Sequence, residues 1–218
     1  MAAGETSITD IAARVAEPTN KIAVYLQRLE TYYGLIERKT PLLLRQKSET
    51  RYFIRDIFLQ FWFRYIYRRQ SYIERGNALF LWKLISQDLT NYQGRIFEKL
   101  CIELFLNRKV QDKLLLNFEI WEYGNFWSKK DSIEIDLIAF DKKRENLCLI
   151  ECKINPKRIT AAFLNEFQRK ADYHLFKNFK KKRLIIWTVH RADTSIHLLC
   201  KHHGIEYLSL EDVVYTTP

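Results

Sequence analysis

The chain has 218 residues, with 36 lysine and arginine residues against 26 acidic residues, and a formal net charge of +10. Hydrophobic residues make up 47% of the chain and aromatic residues 14%, which excludes a disordered protein and favours a packed core. The positive charge suits a polyanionic partner, because lysine and arginine displace counterions condensed on a phosphate backbone. A basic surface can also serve membrane binding or solubility, so the charge only supports that interpretation.

Several other classes of protein are disfavoured by missing patterns. No apolar run reaches the length of a membrane span, and the first residues, MAAGETSITD, do not resemble a signal peptide. The sequence has no GxxxxGK[ST] motif, so we expect no nucleotide site in this chain. The cysteines lack metal-binding spacing and are typical of buried thiols in a reducing compartment, which predicts a cytoplasmic protein. They are Cys101, Cys148, Cys152 and Cys200.

Residues 1–50 are predicted to form a small winged helix-turn-helix. Apolar residues repeat at helical spacing from Ile8 to Val15 and again from Ile22 to Tyr33, where Gly34 ends the second helix. A strand over residues 35–39 would then enter a wing at 41–51. A further helix should precede residue 7, so the unit resembles one clipped at its N-terminus.

The second helix of this unit carries the side chains expected to face DNA. Lys21 and Arg28 are the basic ones, and we predict that they contact phosphates. The alternative is a winged helix that binds protein, since such units do not all read DNA.

Residues 51–90 are predicted to form an aromatic helical connector. Aromatic and aliphatic residues recur there at three- and four-residue spacing, which favours a core-facing stripe over a base-stacking platform. The stripe comprises Phe53, Ile57, Phe58, Phe61, Trp62 and Tyr65.

Residues 91–218 predict an α/β domain with a central mixed sheet. Strands are expected at about 117–123, 132–140, 146–154, 183–189 and 205–208, and helices at about 91–107, 158–177 and 194–203. Strands and helices in this order predict an α/β sandwich, in which the last two strands form a right-handed crossover.

The segment IEIDLIAFDKKRENLCLIECK, residues 133–153, predicts a strand–turn–strand ribbon with Asp136, Glu151 and Lys153 on one face. Carboxylates in strands this apolar are costly to bury unless they are paired or bind a cation. Two acids and a lysine together indicate a divalent-metal site for phosphodiester cleavage. The alternative is a hairpin with a solvated Glu–Lys pair and an exposed Asp136.

A third carboxylate is predicted on the helix containing GRIFEKL. Glu98 lies off the polar stripe of this helix, beside Ile102 and Phe105, and a glutamate among apolar residues calls for a partner. Gly94, one turn earlier, leaves room for a hydrated ion or another backbone. A boundary glutamate that reaches solvent or pairs with a lysine is the alternative.

The order of a GxxxE helix, an EID strand and an ExK strand resembles the PD-(D/E)xK nuclease superfamily, the restriction-endonuclease-like fold, over roughly residues 91–210. The EIDLIA and ECK strands are most similar to those of archaeal Holliday junction resolvases. The whole chain, with a winged helix and then YFIRDIFLQFWFRYIY, resembles the C-terminal half of the archaeal-type ATPase family, which ends in the domain-of-unknown-function family 234. In those relatives a P-loop ATPase domain precedes the winged helix, which implies here a truncated chain, a split gene or a stand-alone descendant.

The resemblance implies a site for Mg²⁺ or Mn²⁺. Asp136, Glu151 and the backbone carbonyl of Cys152 would hold the ion, and Glu98 would bind it directly or through water. Lys153 would orient the attacking water and offset charge on the phosphoryl oxygens. Glu134 would be an extra ligand or, in the preferred interpretation, a solvent-facing acid.

Further contacts are expected from the helix and loop after the ExK strand. Relatives of this kind present a glutamine or lysine from that helix, and Gln168 is the candidate here, with a plain surface glutamine as the alternative. DNA-backbone contacts are expected from the following basic residues, although a charge run can also be only a solvated loop: Lys157, Arg158, Lys180, Lys181 and Lys182.

The sequence therefore predicts a metal-dependent DNA endonuclease whose winged helix places it on duplex or branched DNA. A non-catalytic DNA-binding or regulatory module is the first alternative, and an adaptor of a separate ATPase is the second. Membrane binding is not expected, and a homodimer is left open.

Overall fold

A computed structural model of the chain describes residues 1, 4–44 and 47–214, without the side chains of residues 47, 108 and 109. The chain divides into two compact units, Met1–Leu89 and Thr90 onward. Residues 45 and 46 of the expected wing, and the last four residues of the expected nuclease-like domain, lie outside the described part.

The first unit begins with the two predicted helices, α1 (Ile8–Val15) and α2 (Thr19–Thr31). Ser7 caps α1 by accepting a hydrogen bond from the amide of Asp10, at 3.1 Å. An antiparallel ribbon of β1 (Ile36–Lys39) and β2 (Arg51–Ile54) follows. The core between these elements comprises Ile11, Ala12, Ile22, Leu26 and Ile36. Tyr33 lies beyond the end of α2 and is exposed, because the helix stops two residues earlier than predicted.

The aromatic segment of the first unit is irregular. It contains α3 (Ile57–Phe61), a π-helical turn (Trp62–Ile66), a 3₁₀ turn (Tyr67–Arg69) and α4 (Gln70–Glu74). The predicted core stripe is wrong for Ile57 and Phe58, which are 42% and 65% exposed, whereas Tyr65 is buried. The π-helical turn inserts an extra residue per turn, so the three- and four-residue spacing no longer follows one face.

The second unit is built on a five-stranded mixed sheet in the order β3-β4-β5-β6-β7. Its strands are β3 (Glu122–Ser128), β4 (Ile133–Phe140), β5 (Asn146–Lys153), β6 (Lys181–Thr188) and β7 (Glu206–Ser209). The first three strands are antiparallel, and β6 and β7 continue parallel to β5, which confirms the α/β class. β3 lies five residues later than predicted, because its residues do not alternate between buried and exposed. A bulge in β4, at Asp136 and Leu137, lies opposite Asn125 of β3.

Helices cover both faces of this sheet, so β4 and β5 are buried on both sides. The long helix α5 (Ala78–Phe105) begins before Thr90, the first residue of the second unit. Its C-terminal half packs with α6 (Arg108–Lys113) on one face of the sheet. The shared core on that face includes Phe97, Cys101, Phe105, Leu137, Ile150 and Trp187.

Helix α7 (Ala161–Ala171) contacts β4 and β6 and begins at its cap, Thr160. Helices α8 (Thr194–His202) and α9 (Leu210–Val214) flank β7. Along the described chain, no helix combines the length and apolar character that crossing a bilayer requires.

Candidate active site

The β4–β5 ladder ends beside Asp136 and Glu151. Leu137 and Ile150 are its last pair, and Asp136 and Glu151 are the next residues of the two strands. Lys153 is two residues further along β5 and shares the face of Glu151. The placement of Glu151 and Lys153 on one face follows from alternation, whereas a bulge at Asp136 and Leu137 interrupts the alternation of β4.

The ladder ends at this point because the Asp136 carboxylate replaces a backbone acceptor. Continued pairing would join Ile135 to Cys152, but the amide of Cys152 donates instead to Oδ2 of Asp136, at 2.7 Å. The carbonyl of Asp136 accepts from Nδ2 of Asn125 at 2.6 Å, and Asn125 of β3 lies opposite the bulge that Asp136 and Leu137 form in β4. Both hydrogen bonds hold Asp136 at the point where the two strands separate.

Glu151 is the most deeply buried acid of the cluster, with a side chain 4% exposed. Its Oε1 lies 2.6 Å from Nζ of Lys170 on α7, and its Oε2 lies 3.2 Å from Nζ of Lys153. Each carboxylate oxygen therefore has its own ammonium partner, which offsets the unfavourable burial of the charge. Nζ of Lys153 also lies 4.9 Å from the ring centre of Phe163, on α7.

Glu98 joins this cluster from α5. It lies between the core residues Phe97 and Cys101, and its side chain is half-buried. Burial raises the pKa of Glu98 to about 7, with Lys153 opposing the shift and the charges of Glu134 and Glu151 adding to it. The helix glutamate is thus electrostatically linked to Lys153 and Glu151 on β5.

The remaining pKa shifts identify a crowded group of charges. Burial, and then the charges of Glu151 and Glu98, raise the pKa of Asp136 well above its usual range. Although burial opposes its charge, Lys153 has a raised pKa because Glu151 and Asp136 lie near it. A nearby cation would counter the burial and the charge repulsion that raise the pKa of Glu98 and of Asp136. We call Glu98, Asp136, Glu151, Lys153 and Lys170 the acid–lysine cluster.

The donor chemistry of the cluster fits a hard divalent cation, because Asp136, Glu151 and Glu98 offer carboxylate oxygens. Among the residues that the structure describes, however, no three histidine, cysteine, aspartate or glutamate side chains are already arranged to hold a metal. The oxygens of Glu151 are occupied by two lysines instead. The N–H and C=O of a strand residue point toward the same neighbouring strand. Because the amide of Cys152 donates to Asp136 on β4, the carbonyl of Cys152 also faces β4.

Gln168 is not the residue of α7 that reaches the cluster. Its Nε2 donates to the carbonyl of His203, at 2.7 Å, and this bond ties α7 to the end of α8. Lys170 points toward Glu151, seven residues after Phe163 and hence on the same side of the helix. The i, i+7 spacing of Phe163 and Lys170 is the feature of the sequence that could have identified Lys170. For Asn125 the sequence offers no such feature beyond the adjacent Gly124.

The basic residues of the second unit that are predicted to contact DNA lie at two opposite ends of the five-stranded sheet. Lys157 and Arg158 follow β5 in an exposed 3₁₀ turn (Pro156–Arg158), at the end that bears the cluster. Lys180 and Lys181 lie at the start of β6, at the other end. Lys182 is half-buried and donates to the carbonyl of Ala171, so it is used within the fold.

The two predicted DNA contacts of the first unit are both exposed on α2. Lys21 forms an ion pair with Glu17, with Nζ and Oε1 2.7 Å apart. An exposed pair of this kind contributes little to stability, so Lys21 can exchange Glu17 for another anion.

The second unit is therefore an α/β domain that carries a buried carboxylate–lysine cluster at one end of a mixed sheet. The chain belongs to DUF234, a family of archaeal and bacterial proteins of unknown function, and matches it over residues 62–180. This membership confirms the family named in the resemblance, whereas the likeness to PD-(D/E)xK nucleases and the ATPase context stay predictions.

Two individual proteins are similar to the chain. The uncharacterized protein MJECL04 of Methanocaldococcus jannaschii is 32% identical over 154 residues, which are 70% of this chain and 34% of that protein. The chain thus spans about a third of the length of this relative. Can2 from Sulfobacillus thermosulfidooxidans, solved in complex with cyclic tetra-adenylate, has a TM-score of 0.35 and 8% identity, covering 92% of this chain and 51% of that chain.

Proposed function

We propose that the chain is a metal-dependent nuclease that hydrolyses phosphodiester bonds in duplex or branched DNA. The observation that carries this proposal is the acid–lysine cluster, in which Glu151 is 4% exposed and lies 3.2 Å from Nζ of Lys153. A scaffold has no physical need for three converging acids, and burial with the charges of Glu151 and Glu98 raises the pKa of Asp136. The resemblance to the PD-(D/E)xK nucleases supports the same role.

Asp136, Glu151, Glu98 and the carbonyl of Cys152 would hold a Mg²⁺ or Mn²⁺ ion. When bound, such an ion neutralises phosphate charge and makes a coordinated water a stronger nucleophile. The amide of Cys152 and the side chain of Asn125 position Asp136 before any ion arrives.

The two lysines of the cluster have separate tasks in this proposal. Lys153 keeps its proton, because the neighbouring carboxylates raise its pKa, and it can donate to a phosphoryl oxygen as charge develops there. Lys170 balances Glu151 in the resting protein, and an ion that engages Glu151 would free this amine for the phosphate.

DNA targeting is assigned to exposed basic residues on each unit. Lys21 and Arg28 on α2 would contact phosphates from the winged-helix-like unit, and Lys157 and Arg158 would do so beside the cluster. A separate ATPase would be a further partner, by resemblance to the archaeal-type ATPase family.

A non-catalytic DNA-binding or regulatory module is the second candidate. The observation that favours it is the occupation of both Glu151 oxygens by lysines, which leaves no ready set of metal ligands among the described residues. In this case the buried charges would be balanced permanently, and the nuclease-like arrangement would serve only as a scaffold.

A cleavage assay separates the two candidates. Supercoiled plasmid and a four-way junction are incubated with the protein and Mg²⁺ or Mn²⁺, beside Asp136→Asn and the matched variant Glu134→Gln. Glu134 is an exposed acid two residues away on the same strand. Cleavage that needs the metal, is lost in Asp136→Asn and persists in Glu134→Gln supports the nuclease. DNA binding without any cleavage refutes it and supports the scaffold.

A further inference from the structure

A second basic surface lies at the end of the sheet opposite the acid–lysine cluster. Asn146 pairs with Lys181 at one end of the β5–β6 ladder, and Lys153 pairs with Thr188 at the other. Seven residues at about 3.3 Å each separate these ends by roughly 23 Å. The two surfaces therefore cannot contact the same phosphate group.

This surface combines the β4–β5 turn with the start of β6. The amide of Lys181 donates to the carbonyl of Glu145, at 2.9 Å, and Nζ of Lys180 lies 2.5 Å from Oε1 of the same residue. Two sequence segments that are 35 residues apart are thus joined into one surface. We call it the basic rim, and its cations are Lys142, Lys143, Arg144, Lys180 and Lys181.

The acids of the rim are already engaged. Asp141 accepts hydrogen bonds from the amide of Glu145 and from Nδ2 of Asn146, at 2.8 and 2.7 Å, and so stabilises the turn. Glu145 balances Lys180 alone. Lys143 and Lys181 are exposed, and within the described chain neither forms an ion pair. Glu122, which pairs with Phe140 next to Trp121, is a third carboxylate near the rim. The five cations exceed the three carboxylates, and a local excess of this kind attracts a polyanion.

An exposed aromatic ring borders the rim. Trp121 is exposed, and its amide donates to the carbonyl of Phe140, which places it beside the β4–β5 turn. Nζ of Lys142 lies 4.9 Å from the centre of its ring. A cation next to an exposed indole is typical of surfaces that hold a nucleic-acid backbone and stack a base.

We propose that the basic rim binds the phosphate backbone of a nucleic-acid segment distinct from the segment at the acid–lysine cluster. The two surfaces are roughly 23 Å apart, which is the length of about seven nucleotides along one strand of DNA. This inference rests on the proposed nucleic-acid partner, but it does not require that the protein cleave it.

The test measures DNA affinity in EDTA, where cleavage cannot occur. Fluorescence anisotropy with labelled duplex and single strand is recorded between 50 and 200 mM salt for the wild type and for Lys143→Ala/Lys181→Ala. The control, Arg75→Ala/Lys83→Ala, removes the same charge from exposed positions of the first unit. We expect the rim variant to bind DNA roughly tenfold more weakly than the wild type. The slope of the logarithm of its affinity against the logarithm of the salt concentration should be smaller in magnitude by about 1 to 2, whereas the control should stay close to the wild type.

Three results would overturn the inference: equal affinity and slope for the rim and control variants, no DNA binding by the wild type, or binding only to phosphatidylserine vesicles. Plasmid cleavage in Mg²⁺ is measured in parallel. If the protein cleaves DNA but the rim variant keeps the salt slope of the wild type, only DNA binding by the basic rim is refuted. If the rim variant binds DNA more weakly and no cleavage is seen in any sample, DNA binding by the rim is supported and the proposed nuclease activity is refuted.

Discussion

Nζ of Lys170 lies 2.6 Å from Oε1 of Glu151, so α7 supplies a cation to the most buried acid of the cluster. The pair joins a helix to a strand 19 residues earlier in the chain. Removing one partner of a buried ion pair leaves the other uncompensated, which is strongly unfavourable. The same amine also competes with any metal ion for that oxygen.

We predict that Lys170→Met slows DNA cleavage by roughly ten- to a hundredfold, because one cationic donor near the phosphate is lost. The variant should also need less Mg²⁺ for half-maximal activity, since an ammonium no longer competes for Glu151. Single-turnover cleavage across a Mg²⁺ titration measures both quantities.

Gln168→Leu is the matched control on the same helix. Gln168 bonds to the carbonyl of His203, so this variant should lower the melting temperature and leave the Mg²⁺ requirement unchanged. If Lys170→Met alters only the melting temperature, its role is structural and the proposed competition with metal is refuted.

The pKa of Glu98 predicts a pH-dependent stability of the metal-free protein. Its value is raised by burial from 4.5 to about 7, so between these pH values the folded state keeps a proton that the unfolded state has lost. This contribution to stability is complete below about pH 4.5 and is lost as the pH rises through about 7. The shift corresponds to about 3 kcal/mol.

Melting in EDTA from pH 5 to 8 tests this prediction. Glu98→Gln should match the wild type at pH 5 and melt at a higher temperature at pH 8, because its side chain stays neutral when buried. Glu103→Gln changes an exposed acid on the same helix and should follow the wild type at every pH. Parallel curves for wild type and Glu98→Gln would contradict the raised pKa.

The part of the cluster that the sequence predicts is the part set by local geometry. Alternation along a strand fixes Glu151 and Lys153 on one face, whereas the place of Asp136 depends on the bulge in β4 and on its bond to the amide of Cys152. The spacing of Phe163 and Lys170 puts them on one side of α7, but how the helix is rotated over the sheet decides whether that side or the side of Gln168 faces the cluster.

The same reason explains the differences in the fold. The residues of β3 do not alternate between buried and exposed, so alternation does not locate that strand, and a π-helical turn moves Phe58 out of the expected stripe. Both are departures from regular periods, and periodicity is the signal from which a sequence predicts helices and strands. The strands β4 and β5 are found within about a residue of their predicted bounds, although β4 contains a bulge.

A polar cluster in the first unit predicts a stability effect independent of catalysis. Oδ2 of Asp88 accepts from Nε of Arg64 and from the hydroxyl of Tyr65, at 2.6 and 2.8 Å. Burial, followed by the bond to Asp88, raises the pKa of Tyr65 to about 12. Asp88→Ala should lower the free energy of unfolding by about 1 to 3 kcal/mol, because a half-buried guanidinium loses its counter-charge.

Urea unfolding followed by tryptophan fluorescence measures this loss. Glu74→Ala, which removes an exposed acid from α4, should change the free energy of unfolding by less than about 0.5 kcal/mol. A loss in Glu74→Ala as large as that in Asp88→Ala would show that net charge, rather than the Arg64 and Tyr65 contacts, is responsible.

Metal binding predicts a stabilisation that does not depend on DNA or on turnover. A ligand that binds only the folded state raises stability by about 2.7 kcal/mol at a hundred times its dissociation constant. Mg²⁺ or Mn²⁺ should therefore raise the melting temperature of the wild type at pH 8. Asp136→Asn should lose this rise in melting temperature, because it removes a proposed metal ligand. The substitution should keep the local structure, since the asparagine side-chain oxygen can still accept the hydrogen bond from the amide of Cys152.

Two controls make this result specific to the cluster. Glu134→Gln should keep the metal-induced shift, because Glu134 is exposed and is proposed to face solvent. Addition of Na⁺ at equal ionic strength should shift the melting temperatures of the wild type and both variants equally, since general screening acts on all surface charges alike. Equal shifts in the wild type and in Asp136→Asn would mean that the ion binds elsewhere, and the lysines would then be the permanent counter-charges of Glu151.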